Sequence, residues 1–274
     1  MFDSIAGDYD ALNHILSLDV DKIWRKKALK QIVDAPAPVQ VLDLACGTGD
    51  FSIAIAKALS RSHKRVGTPI EAHVKAPAKA PVEAPAKAPV EAQVTSTGFV
   101  TGDSGRSDLM TKGHVTGVDL SEGMLAVMRE KVAKAGLTEM ISIEEGDGEI
   151  LRFPDNTFDR VTIAFGIRNF ENKEKGLREM LRILKPGGRL VILELSRPEN
   201  KIIRWFYDLY FLHILPKIGG KVSGDKAAYA YLPASVAAFP GKKAFMATMR
   251  EAGFRTVTHK AFTLGICRMY TGEK

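Results

Sequence analysis

Val39-Gln40-Val41-Leu42-Asp43-Leu44-Ala45-Cys46-Gly47-Thr48-Gly49-Asp50 passes from a short apolar run directly into a pair of glycines. The run from Val39 to Leu44 reads as a buried strand, and the helical pattern resumes at Phe51 and continues to Leu59. Glycine at 47 and 49 lets the backbone take positive φ and approach a ligand without a Cβ in the way. In an open α/β sheet, ligands lie beyond the carboxyl ends of the strands, where the strand order reverses. This strand–turn–helix unit is therefore where a cofactor site is to be sought.

Outward from that unit the chain alternates. Strands are predicted at Val115–Val118, Ile141–Glu144, Arg160–Ala164, Arg189–Glu194 and near Thr263–Tyr270. Helices are predicted at Glu122–Ala135, at Lys173–Leu184 (stopped by Lys185-Pro186-Gly187-Gly188) and around Lys242–Ala252. The order indicates the α/β class, a parallel sheet with helices on both faces. One stretch breaks the pattern: residues 76–83 and 84–91 both read APAKAPVE. Proline at every fourth position removes helix hydrogen bonds, and no large apolar side chain is available for burial. The low-complexity character extends over about 61–112, predicting a disordered insertion within a single domain spanning 1–274.

Two cofactor classes compete for the glycine turn. A dinucleotide fingerprint needs a third glycine where this chain has Ser52, and a pyrophosphate would sit poorly beside Asp43. A carboxylate there suits a ligand with an ammonium group, which favours S-adenosylmethionine over NAD. Asp119 closes the strand Val115–Val118, where a carboxylate accepts both ribose hydroxyls. It lies 119 − 47 = 72 residues after Gly47, and subtracting the 51 residues of 62–112 leaves 21, close to the ~20 expected. The insertion thus reads as a loop added to an intact binding unit. Asp147, after Ile141–Glu144, is placed to accept from an adenine amino group, with Gly148 beside the ring.

Composition narrows the function classes. Lys and Arg exceed Asp and Glu by 39 − 32 = 7, but the positive charges are dispersed and form no dense block. Nucleic acid is therefore not an expected partner. Cys46 and Cys267 form no CxxC pair and the six histidines show no ligand spacing, so no metal is expected. The apolar stretch Ile202–Leu215 carries Arg204, Asp208 and His213, and is shorter than the ~20 apolar residues of a spanning helix. The start of the chain shows no signal core. The expectation is a cytoplasmic protein, with peripheral membrane contact left open.

With these motifs assembled, the sequence resembles the class I methyltransferases, and within them the menaquinone/ubiquinone C-methyltransferase family. The general features are residues 41–50, Asp119 with Met124-Leu125, and Leu184-Lys185-Pro186-Gly187-Gly188-Arg189. Narrower ones are Phe158 through Asn169, the N-terminal motif Phe2 through Asp10 with Asn13, Ser17, Trp24 and Arg25, and Tyr229-Ala230-Tyr231-Leu232 followed by Phe239-Pro240, Met249 and Ala252-Gly253-Phe254. The resemblance implies a Rossmann-like, mostly parallel seven-stranded sheet and S-adenosylmethionine as cofactor. It implies methyl transfer to a ring carbon of a polyprenylated quinol, demethylmenaquinol first. Thr48, Asp119, Asp147 and Gly148 take the family's cofactor-contact positions, and Ala164 takes another where many members have serine. Asp147-Gly148 stands where Asn-Ala is common.

A quinol carbon becomes nucleophilic when a neighbouring hydroxyl ionises, with a pKa of about 10 by analogy with tyrosine. Arg168, just past the strand Arg160–Ala164, is the candidate cation for that phenolate, and Asn169 the group to orient the oxygen. Tyr9 is a candidate substrate contact, whereas His14 is read as structural. The aromatic-rich segment 202–215 is read first as a helix packed on the core, and second as an apolar mouth for an isoprenoid tail at a membrane surface. A homodimer is left open. The alternatives are C-methylation of the methoxy-benzoquinol of ubiquinone synthesis, or methylation of a soluble small molecule or of RNA.

Overall fold

A computed structural model describes residues 20–34, 39–66, 113–210 and 226–274. Tyr9, His14, the N-terminal motif up to Ser17, the APAKAPVE repeat and residues 211–215 lie outside the described residues. Helix α1 (Val20–Ile32) precedes β1 (Gln40–Leu44), α2 (Asp50–Val66), β2 (His114–Asp119), α3 (Glu122–Lys134), β3 (Ile141–Glu145) and β4 (Phe158–Ala164). A short 3-10 turn, Ile167–Asn169, leads to α4 (Lys173–Ile183) and β5 (Leu184–Leu195). Helices α5 (Lys201–Leu209), α6 (Lys226–Ala238) and α7 (Lys242–Glu251) come before the closing pair β6 (Arg255–Phe262) and β7 (Cys267–Glu273).

The seven strands lie in the order β3-β2-β1-β4-β5-β7-β6. β1 to β5 pair in parallel, and β7 runs antiparallel to both β5 and β6. The sheet is thus mostly parallel, as the strand–helix alternation implies. Its central strands are buried on both faces, so burial along β1 and β4 is near-continuous rather than alternating. Alternation instead sorts side chains between two cores. Leu42, Leu44 and Ile163 join Leu177, Met180 and Phe245 on one face. Val41, Val115 and Val191 meet Trp24, Phe51, Ile55 and Met128 on the other. The second face is covered by α1, α2 and α3, and Asp43, out of phase with Leu42 and Leu44, belongs to it.

Three sequence-based expectations change. Helix α2 runs to Val66, so regular structure extends past the expected start of the insertion at about 61. The strand expected near Thr263–Tyr270 is really the end of a hairpin. β6 stops at Phe262, Thr263–Gly265 turns, and β7 begins at Cys267. Helix α5 is not packed on the core: Tyr207 is its buried residue, whereas Ile202, Trp205 and Phe206 are exposed. α1 and α6 were not foreseen, the first because its mean pattern is polar and the second because Pro233 interrupts it.

Candidate active site

The strand order reverses between β1 and β4, and the turns after these two strands border a cavity of about 490 Å³. It is lined by Asp43, Ala45, Cys46, Gly47, Thr48 and Phe51 at and around the glycine turn, by Asp21, Trp24 and Arg25 of α1, and by Arg168, Ile203, Phe206, Tyr207, Leu232 and Leu264. Of the non-glycine residues held at positive φ, Ala45, Phe165, Thr263 and Leu264 all line this cavity. Such strain persists only where surrounding structure enforces it, and it clusters at functional sites.

The glycine turn is held from behind. Gly47 N–H donates to Asp119 Oδ2 (2.8 Å) and Ser121 N–H to Asp119 Oδ1 (2.9 Å). Asp119 therefore ties the ends of β1 and β2 together and sits behind Gly47, not on the cavity lining. Gly49 takes φ +83, and a Cβ there would lie 2.4 Å from Met128 Cγ, so α3 can close against the turn only because position 49 has no side chain. Thr48 is buried and accepts from Lys131 Nζ at 3.3 Å.

Asp43 is the chemically unusual group. It is 1% exposed, and Ser52 Oγ donates to its Oδ2 at 2.6 Å. Burial lifts its pKa from 3.8 to about 7, against the opposing effects of the Ser52 hydrogen bond and the Arg25 cation. The neighbouring Asp119 adds to the rise. Burial and the nearby Asp43 and Asp119 charges push the Cys46 thiol well up. The thiol stays protonated at neutral pH and is not a nucleophile.

Arg168 is buried, not projecting as a bare cation. Its Nη1 meets Glu194 Oε1 at 3.0 Å and also donates to the Phe165 carbonyl, while Nε reaches Ser235 Oγ at 3.3 Å. Glu194 is fully buried and also accepts from Arg168 N–H (3.1 Å) and Leu195 N–H (2.8 Å). The pair reaches the cavity as a nearly neutral, pre-oriented donor fork. Asn169 lies beside it but off the lining, with its Oδ1 accepting from Tyr231 Oη at 2.9 Å.

Against known sequences, the model of the ubiE/COQ5 methyltransferase family matches residues 1–274. The chain belongs to that family. It is 41% identical over its whole length to the ubiquinone/menaquinone biosynthesis C-methyltransferase UbiE of Geobacter sulfurreducens, covering 87% of that protein. It is 38% identical to the demethylmenaquinone methyltransferase of Bacteroides fragilis, again over its whole length and 91% of the relative. Among solved structures, a putative S-adenosyl-L-methionine-dependent methyltransferase from Methanococcus maripaludis shares the fold, with TM-score 0.57 and 16% identity over 100% of this chain and 94% of that one. The protein is a methyltransferase of this family, and S-adenosylmethionine is its methyl donor.

The residues around the glycine turn could hold that donor. A buried carboxyl with a raised pKa, facing a cavity, is where an ammonium group is best received. Of the residues singled out in the sequence, Asp43, Gly47, Thr48, Ala164 and Arg168 line this cavity together. Gly49, Asp119, Asp147, Gly148 and Asn169 do not. The ring beside Gly148 is that of Phe170, whose Cζ would lie 2.4 Å from a Cβ at that position. Asp147 Oδ1 accepts from Glu149 N–H at 2.8 Å, closing its own turn. Asp21 and Glu194 were missed in the sequence, and Arg25, named there within the N-terminal motif, was given no site role. Glu194 carries a readable signal: a lone acid ending the apolar run Leu190-Val191-Ile192-Leu193 needs a buried partner.

Proposed function

We propose that this methyltransferase transfers the methyl group of S-adenosylmethionine to a ring carbon of a polyprenylated quinol, with demethylmenaquinol as the first candidate substrate. The observation that carries the reading is the mixed lining of one cavity, which brings Asp43 and Arg25 near the glycine turn together with the apolar and aromatic Ile203, Phe206, Tyr207 and Leu232 and with Arg168. The names of the two relatives, one covering ubiquinone and menaquinone and one demethylmenaquinone alone, support a quinol and leave the ring system to be decided by assay.

The cofactor supplies an electrophilic methyl on a sulfonium centre. The protein's task is to align the ring carbon and to support the electron density that moves through it. Arg168 remains protonated, so it does not take the hydroxyl proton. Its donors favour the phenolate form by hydrogen bonding to the developing charge. Glu194 fixes the direction of those donors and balances the arginine charge in the resting site.

The apolar rim supports docking at a membrane surface, where such a substrate resides. Ile202, Trp205 and Phe206 of α5 and Leu264 of the β6–β7 turn are at least 60% exposed. Phe206 and Leu264 also line the cavity. A short helix of this kind lies in an interface rather than across it. Among the described residues no helix is long and apolar enough to cross a membrane.

The test is anaerobic incubation of the protein with labelled S-adenosylmethionine and liposomes carrying demethylmenaquinol, the methoxy-benzoquinol or no quinol, with transfer RNA as a further arm. Label in the naphthoquinol product supports the reading, and label in the benzoquinol alone transfers it to the ubiquinone pathway. Label in RNA alone, or in no quinol, refutes it.

A further inference from the structure

We infer that Arg25 is the residue that binds the carboxylate of the cofactor's methionyl group, in the cavity that it lines together with Asp43, which receives the ammonium. The inference rests on reading the residues around the glycine turn as the cofactor site. The amino-acid end of the cofactor is a zwitterion, so a site that takes its ammonium at one acid must also receive its carboxylate at a cation or at aligned N–H donors. Two cavity-lining arginines are available, Arg25 and Arg168. Arg168 already has its charge balanced by the buried Glu194 at 3.0 Å and is assigned above to the substrate. Lys131 is held by Asp50 and Thr48 and does not line the cavity.

Arg25 is placed differently. Its guanidinium sits 5.7 Å from the centre of the Phe165 ring, which fixes its plane. Asp21 Oδ2 lies 3.4 Å from Nε and Asp50 Oδ2 lies 3.9 Å from Nη1. These are ion-pair neighbours without hydrogen-bond geometry, and Arg25 Nε is buried with no acceptor among the described residues. A guanidinium carries five N–H donors in a planar fork that matches a carboxylate. The side chain is only 18% exposed, so water satisfies those donors poorly, and a ligand carboxylate would satisfy them in pairs. Helix α1 is locked over the site by Trp24 Nε1, which donates to Thr263 Oγ1 at 2.9 Å. The Arg25 charge also reaches Asp43 and favours its ionised form, so the two groups are electrostatically matched to opposite ends of one zwitterion.

Calorimetry on the full chain tests this without relying on turnover. The ligands are S-adenosylhomocysteine and its decarboxylated analogue, titrated into wild type and Arg25→Gln. Wild type is expected to bind the decarboxylated ligand about 10–100-fold more weakly, the range for charge-assisted hydrogen bonds. Arg25→Gln is expected to lose a similar factor for S-adenosylhomocysteine, with the decarboxylated ligand within about threefold of wild type, because the partner of Arg25 is then already missing. Equal weakening of both ligands in the variant, or unchanged S-adenosylhomocysteine affinity, overturns the assignment. If the glutamine variant does not fold, Arg25→Lys and the wild-type ligand pair decide. The lysine variant should lose part of the carboxylate preference, and a wild type indifferent to the carboxylate overturns the proposal. Wild type binding neither ligand would instead overturn the cofactor reading on which the proposal rests, an outcome distinguishable from the others.

Discussion

Replacing Asp43 with asparagine should make the ligand-free protein more stable and the cofactor site worse. The folded-state pKa of about 7 lies above the ordinary 3.8, so between those values the native protein holds a proton that the unfolded chain has released. Stability from this group is complete below pH 3.8 and is lost as pH rises through about 7. The gap of about 3 pKa units, at ~1.4 kcal/mol each, amounts to about 4 kcal/mol. Asparagine keeps an acceptor for Ser52 Oγ and never ionises, so Asp43→Asn should gain up to about 4 kcal/mol over wild type at pH 8, falling toward zero near pH 4. Urea unfolding followed by circular dichroism at pH 4.5, 6 and 8, without ligand, measures this. In wild type, S-adenosylmethionine affinity should rise about tenfold per pH unit below pH 7 and level off above it, since the ammonium needs the ionised carboxyl. The asparagine variant should bind weakly with no such slope. A variant no more stable than wild type at pH 8, or a stability difference independent of pH, would refute the burial argument.

Arg168→Ala should lower turnover by about 10²–10³-fold while leaving cofactor affinity nearly unchanged, as separate single-turnover and calorimetric measurements would show. It should also cost about 3–5 kcal/mol of stability because Glu194 is left buried and unpaired, so folding must be confirmed by circular dichroism first. Trp205→Glu should leave thermal stability within about 0.5 kcal/mol, since Trp205 is exposed. Vesicle sedimentation should then show binding roughly 30-fold weaker, from about 2 kcal/mol of lost apolar burial; unchanged sedimentation would remove α5 from the docking surface. Replacing residues 67–112 with a turn of about six Gly and Ser residues should preserve folding and activity and stabilise by at most about 2 kcal/mol; a folded but inactive product would give the insertion a function.

Much of the fold was readable because the signals were local. The apolar run to Leu44, the glycines at 47 and 49 and the helix beyond them are each explained by residues within a dozen positions. The insertion is read from spacing alone, since removing 62–112 leaves 21 residues from Gly47 to Asp119, and most of it lies outside the described residues. The β6–β7 hairpin was less legible. Its turn at Thr263–Leu264 puts two non-glycine residues at positive φ, which no turn-forming sequence announces. The exposure of α5 was misread for a related reason, because an aromatic-rich helix looks the same whether its apolar face meets a core or an open rim.

The sequence by itself determined the fold class, the position of the glycine turn and the family, because these depend on periodicity and on residue types at short spacing. Only the tertiary structure decided which charges meet. Arg168 and Glu194 lie 26 residues apart and are joined because β4 and β5 are adjacent in the sheet. Arg25 and Asp43 line one cavity because α1 packs against β5, α2 and β4 and is tied by Trp24 to Thr263, 239 residues away. Coulomb energy and desolvation depend on distance and burial in space, and neither quantity is written along the chain.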